Sequence, residues 1–229
     1  MPFIDTIPPD EAGDELRAMY ERQQESWGFV PNYAKIFSHR PEVLARWGRL
    51  LAEIKRPMDK RRFELVTFVA AYELRNSACA LAHGKALAQF YPPETVRAIA
   101  EDRAGEDLSE ADQAVVRFTR QIVRDASRVT SGLVGQLREH GFSDAEIFDM
   151  AATAAGRAFF TKLLDALGVE PDSSFLALDD SFRGPLTVGR PIDCRPATRI
   201  TSSDAQGGRG DQRSDRIARS ASRPSGESR

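Results

Sequence analysis

Cys79 and His83 stand four residues apart in NSACALAHG, residues 76–84, an alanine-rich stretch that predicts a helix. They are one of two cysteines and one of three histidines in the chain. Asn76 and Ser77 are both strong N-cap residues. With Asn76 as the cap, Cys79 falls at the third helical position, near unpaired backbone N–H groups and the positive end of the helix dipole. That placement predicts a thiol pKa below the ordinary value. His83 follows one turn later on the same face, where an imidazole takes up the thiol proton or pairs with the thiolate. Glu64 lies on a preceding segment, RRFELVTFVAAY, that is apolar nearly all round. A carboxylate there needs a partner, and a histidine on the adjoining helix is a natural one. The chemistry expected is that of an activated thiol with a proton relay. The opposing reading is a buried inert cysteine beside a hydrogen-bonded histidine.

The elements that position these residues read as helices throughout. Helices are expected over about 10–24, 41–55, 59–74, 77–90, 93–101, 109–127, 130–140 and 143–167, with Pro41 in a first turn. Ser109 opens one of them, Ser143 with Glu146 forms a capping box, and Gly141 and Gly168 end helices. The 59–74 helix, with Phe63, Val66, Phe68, Val69, Tyr72 and Leu74 around it, is expected to be central and buried. No strand alternation or hairpin signal appears. The fold class expected is all-α, a helical bundle.

The chain has 229 residues, 41% hydrophobic, and a net charge of −2. That suits one substantial domain and gives no general attraction to nucleic acid or to an anionic membrane. No apolar run approaches the roughly 20 residues that span a bilayer. The N-terminus has no basic and apolar signal pattern, and two cysteines make no disulfide framework, so a cytoplasmic setting is expected. Three scattered histidines offer no metal-ligand cluster, and no Gly-rich phosphate loop appears, so no cofactor is expected. Residues 195–229 hold eight Arg against four acids, leaving −6 on residues 1–194. A helical domain over 1–182 and a disordered tail over 183–229 are expected.

Glu64, eleven residues, Asn76, two residues, Cys79, three residues and His83 resembles the alkylhydroperoxidase D-like (AhpD-like), or carboxymuconolactone decarboxylase, family. The segments GFVPNYAKIFSHRPEVLARW, LSEADQAVVRFTRQIVRDASRVTSGLVGQLREHGFSDAEIFDM and AFFTKLLDALGVEPD extend the resemblance over roughly residues 10–172. It implies an AhpD-like helical bundle that assembles as a homo-oligomer. It implies that Cys79 attacks a hydroperoxide, that His83 is its base, and that Glu64 ends the proton relay. The dithiol branch carries a resolving cysteine where this chain has Asn76, so the chain looks like a single-cysteine variant served by an external thiol reductant. The function implied is a thiol-dependent, antioxidant peroxidase. The alternatives are a carboxymuconolactone decarboxylase-type lyase and a non-catalytic oligomeric binding protein of the same fold. Elsewhere, His39 reads as a surface or capping residue and His140 as a helix-end cation. Cys194 is an unpromising resolving thiol. Arg157, in AAGRAFF, reads as a structural ion-pair partner, with pocket lining as the alternative. Tyr72, Arg75 and Phe159 read as pocket walls or as packing.

Overall fold

The computed structural model describes residues 2–105 and 107–200. Ten α-helices follow one another in it: α1 (Asp14–Trp27), α2 (Asn32–Ile36), α3 (Pro41–Lys55), α4 (Lys60–Glu73), α5 (Ser77–Leu87), α6 (Pro93–Ala100), α7 (Glu110–Asp125), α8 (Ser131–Glu139), α9 (Asp144–Ala166) and α10 (Asp180–Leu186). No strand occurs among the described residues; an isolated bridge joins Val30 to Thr198. The fold is all-α.

Local chemistry sets most of the helix ends. Ser109, Thr130 and Ser143 each accept a backbone N–H three residues on, and Glu146 completes the capping box by accepting the Ser143 N–H. Gly28, Gly141 and Gly168 have positive φ at helix ends, a conformation that costs glycine little.

Helix α4 is the axis of the molecule. Every residue from Phe63 to Ala71 is buried, Glu64 included. It packs against α5, α7 and α9. One apolar cluster joins α4 to α6, α7, α8 and the start of α9 through Leu65, Phe68, Ile99, Val115, Leu137 and Met150. A second joins α1, α2 and α3 to the end of α9 through Tyr20, Ile36, Leu44 and Phe160, and Cys79 belongs to it. Residues 2–12, including the proline-rich entry, close over this second cluster; Tyr20 Oη donates to the Ile7 carbonyl at 2.6 Å.

The boundary expected after residue 182 falls inside α10. Leu186 is fully buried, and the chain from 187 to 200 straps the body. Gly189 N donates to Ser77 Oγ (2.8 Å), Arg190 Nη2 to the Asp165 carbonyl (2.9 Å), and Asp193 N to the Pro171 carbonyl (2.8 Å). Val30 N donates to the Thr198 carbonyl (2.8 Å), and Ile200 N to Gln24 Oε1 (2.6 Å). Only glycine fits at 189, where a Cβ would come within 1.9 Å of the Arg75 carbonyl oxygen. Of the tail expected over 183–229, residues 201–229 lie outside the described residues.

Candidate active site

Asn76 has extended backbone and caps α5. Its Oδ1 accepts the Cys79 N–H at 2.9 Å, while its Nδ2 donates to Asp165 Oδ1 on α9, also at 2.9 Å. The cap therefore occupies the backbone donor of Cys79 itself, which the sequence argument had left for the sulfur. Cys79 is 5% exposed, and burial pushes its thiol up from the ordinary value, against the pull of Arg157. Burial thus acts against the lowered thiol pKa expected from the helix N-terminus.

Cys79 and His83 both face one cavity, but no hydrogen bond joins them. Arg157 Nη1, reaching across from α9, donates to Cys79 Sγ at 3.6 Å. His83 Nδ1 instead bonds Glu64 Oε2 at 2.7 Å, linking α5 to α4. Burial pushes His83 below its ordinary value, and the charge of Arg157 adds to that shift. Burial alone would raise Glu64, but its hydrogen bond to His83 and the nearby cations hold its carboxyl below the usual range. The ring is therefore neutral near pH 7, with Nδ1–H donating to the Glu64 carboxylate and Nε2 left as a proton acceptor. Gly84 lets α5 approach its neighbours closely; a Cβ there would meet Leu186 Cδ1 at 2.7 Å and Phe68 at 3.1 Å.

The cavity has a volume of about 770 Å³. Glu64, Cys79, His83 and Arg157 share its wall with six aromatic side chains: Trp27, Phe29, Tyr33, Trp47, Phe160 and Phe175. Trp47 and Phe160 stack at 4.3 Å between centroids. The Arg157 guanidinium lies 5.7 Å from the Trp47 ring and 5.6 Å from that of Phe160. Burial pushes the Tyr33 hydroxyl up to about 12, so it stays protonated and donates to Gln23 Oε1 at 2.5 Å.

Arg157 is the site residue whose place the sequence left open. Its signal was a cation on an apolar helix, the same signal that marked Glu64, but the face it presents depends on how α9 packs. Tyr72, Arg75 and Phe159 do not line the cavity. His39 bonds the Asp5 carbonyl at 2.8 Å, and His140 caps the end of α8. Cys194 is exposed. Among the described residues no cluster of three His, Cys, Asp or Glu side chains is placed to hold a metal ion, and no helix is long and apolar enough to cross a membrane.

No family model matches the chain, and no curated protein matches it. Solved structures do. A peroxidase-related protein of Ralstonia eutropha JMP134 with an alkylhydroperoxidase AhpD core superposes with a TM-score of 0.65 at 21% identity, over 77% of this chain and 95% of that one. A peroxidase-related protein of Silicibacter sp. TM1040 gives 0.64 at 21% identity, over 77% and 94%. The debrominase Bmp8, solved with 2,3,4-tribromopyrrole, gives 0.59 at 14% identity, over 71% and 88%. This likeness establishes the AhpD-like fold, as the motif spacing implied.

Proposed function

We propose that the protein is a thiol-dependent peroxidase acting on an organic hydroperoxide. The observation that carries this reading is a buried cysteine on the wall of a large aromatic cavity, hydrogen-bonded by a guanidinium and accompanied by a His–Glu pair. His83 Nε2 accepts the Cys79 proton. The thiolate attacks the distal peroxide oxygen; the S–O bond forms as the O–O bond breaks. Sulfur is oxidised to sulfenic acid, and the departing alkoxide takes the proton from His83 to become an alcohol. Glu64 orients the ring and balances its transient charge. An external thiol reduces the sulfenic acid, because Asn76 provides no second sulfur.

A brief pulse of an organic hydroperoxide with a sulfenic-acid trap, read by intact mass, tests this. One trapped adduct is expected in the wild type and in Cys194→Ser, and none in Cys79→Ser. An adduct in Cys79→Ser, or none in the wild type, rejects it. The aromatic wall favours a second reading, thiol chemistry on an aromatic ring, in line with the debrominase neighbour. A decarboxylase does not depend on the thiol, so Cys79→Ser separates it from both.

A further inference from the structure

We infer that Arg157 is a further catalytic residue: its charge, rather than that of His83, holds the Cys79 thiolate, while His83 carries the proton. The inference rests on Cys79 being the reactive thiol, as proposed above.

The molecule has two buried arginines, Arg120 at 7% and Arg157 at 4% exposure, among the described residues. Arg120 is paired: its Nε lies 2.9 Å from Glu73 Oε1, Asp102 takes its Nη1, and the Ile99 carbonyl takes its Nη2. Arg157 is not. Among the described residues no carboxylate lies within ion-pairing distance of it; its Nε, like that of Arg120, has no hydrogen-bond partner. A guanidinium does not shed its proton, so burial without an ion-paired anion is costly, and the nearby Glu64 carboxylate, which feels the charge of Arg157, is hydrogen-bonded to His83 instead. The one ionisable group it hydrogen-bonds is the Cys79 thiol. Guanidinium and thiolate together make a compensated pair; guanidinium and thiol do not. Trp47 and Phe160, over which the guanidinium sits, keep water from doing the same work.

The neighbouring groups fit this division of labour. His83 on α5 is tied to Glu64 on α4 and is held neutral, so it carries a proton but supplies no standing positive charge. Asp165 on α9 opposes ionisation of Cys79 but is bonded to Asn76, and Tyr33 on α2 stays protonated. Arg157 lines the cavity, so its donors not spent on sulfur would be available to the oxygen of a bound hydroperoxide that leaves as alkoxide. A guanidinium there stabilises the charge that develops.

The experiment follows alkylation of Cys79 against pH in a Cys194→Ser background, where Cys79 is the single thiol. Iodoacetamide is the probe, and the variants are Arg157→Met, Arg157→Lys and His83→Gln. Removing an opposite charge at this range should raise the thiol pKa by about one unit or more, slowing alkylation at neutral pH by roughly tenfold. Arg157→Lys should recover part of the loss, and His83→Gln should leave the thiol pKa within a few tenths of a unit. A profile for Arg157→Met that overlays the parent, or a larger shift in His83→Gln, overturns the inference. A second measurement needs no change at Arg157. The iodoacetate-to-iodoacetamide rate ratio of Cys79 should exceed that of exposed Cys194, read in Cys79→Ser, because a guanidinium with no ion-paired carboxylate draws the anionic reagent. Equal ratios reject the inference. None of these readouts uses peroxide. Arg157-dependent alkylation without a peroxide-induced sulfenate supports this inference and removes the peroxidase reading; the reverse pattern removes this inference alone.

Discussion

At the scale of single residues, the Glu64–His83 bond sets the pH behaviour of the site. Burial, then the charge of Arg157, hold His83 below its ordinary 6.5. The base works in its neutral form, so protonation removes activity only as pH falls through that lowered value. The acid limb of kcat/KM for peroxide reduction should therefore lie below 6.5, and His83→Gln should abolish the limb and lower the rate on the order of 10²-fold. An acid limb above 6.5, or one that survives in His83→Gln, would assign the titration elsewhere. Glu64 was readable from the sequence because a carboxylate on a helix with no polar face has to find a partner. Arg157 raised the same question, yet its answer lies in two aromatic rings and a sulfur on other elements, which no local pattern records. The same holds for the thiol pKa: the cap was readable, the burial was not.

At the scale of elements, helix ends were readable because caps are short-range chemistry. Ser143 with Glu146, Ser109 and Asn76 each act within three residues of their own position. The docking of α10 and the strap was not, because it depends on pairs such as Ser77 with Gly189 that are far apart in the chain. Asn76 also carries a prediction. Asn76→Cys removes the cap, at a cost of about 1 kcal/mol, and leaves Asp165 without its amide donor. In exchange it places a thiol one turn from Cys79. Mild oxidation should then join the two, and turnover should come to depend on a dithiol reductant. Intact mass that shows both thiols free after oxidation would mean that position 76 does not correspond to a resolving cysteine. The segment between α9 and α10 makes its own prediction through Asp172, which accepts the Asn32 N–H at 2.8 Å and is pushed by burial up to about 6. A carboxyl raised on folding keeps its proton longer in the folded than in the unfolded chain. Its contribution to stability is therefore full below the unfolded value and falls as pH rises through about 6. Asp172→Asn keeps the acceptor and removes the titration. Its melting temperature should gain on the wild type as pH rises from 5 to 7, and a gap independent of pH would contradict this.

At the scale of the whole molecule, helix α9 divides its apolar residues between the core and the surface. The helix carries seven large apolar side chains, Ile147, Phe148, Met150, Phe159, Phe160, Leu163 and Leu164. The chain does bury Ile147, Met150, Phe160 and Leu164, so these give no reason to associate. What remains is narrower. Phe148 is 68% exposed and Phe159 48% exposed. Eleven residues apart, they sit about 20° from alignment on the helix. Together with Phe148, Phe159 and Lys162, the partly or fully exposed Ala145, Ala152, Ala155 and Ala166 lie along the same side at alternating steps of three and four. That spacing is the seam of paired helices, and the small residues between the two rings let a second helix approach closely. An antiparallel pair of α9 helices would set each Phe148 beside the partner's Phe159 and cover both rings, which otherwise remain in water at a cost of about 25 cal/mol per Å². Light scattering at micromolar concentration should therefore report a dimer or a larger assembly. Phe148→Lys with Phe159→Lys should yield a monomer whose helical circular dichroism is unchanged, since neither side chain belongs to the core. A wild type that runs as a clean monomer would show that the stripe stays uncovered, and a double variant that stays assembled would place the interface on another face.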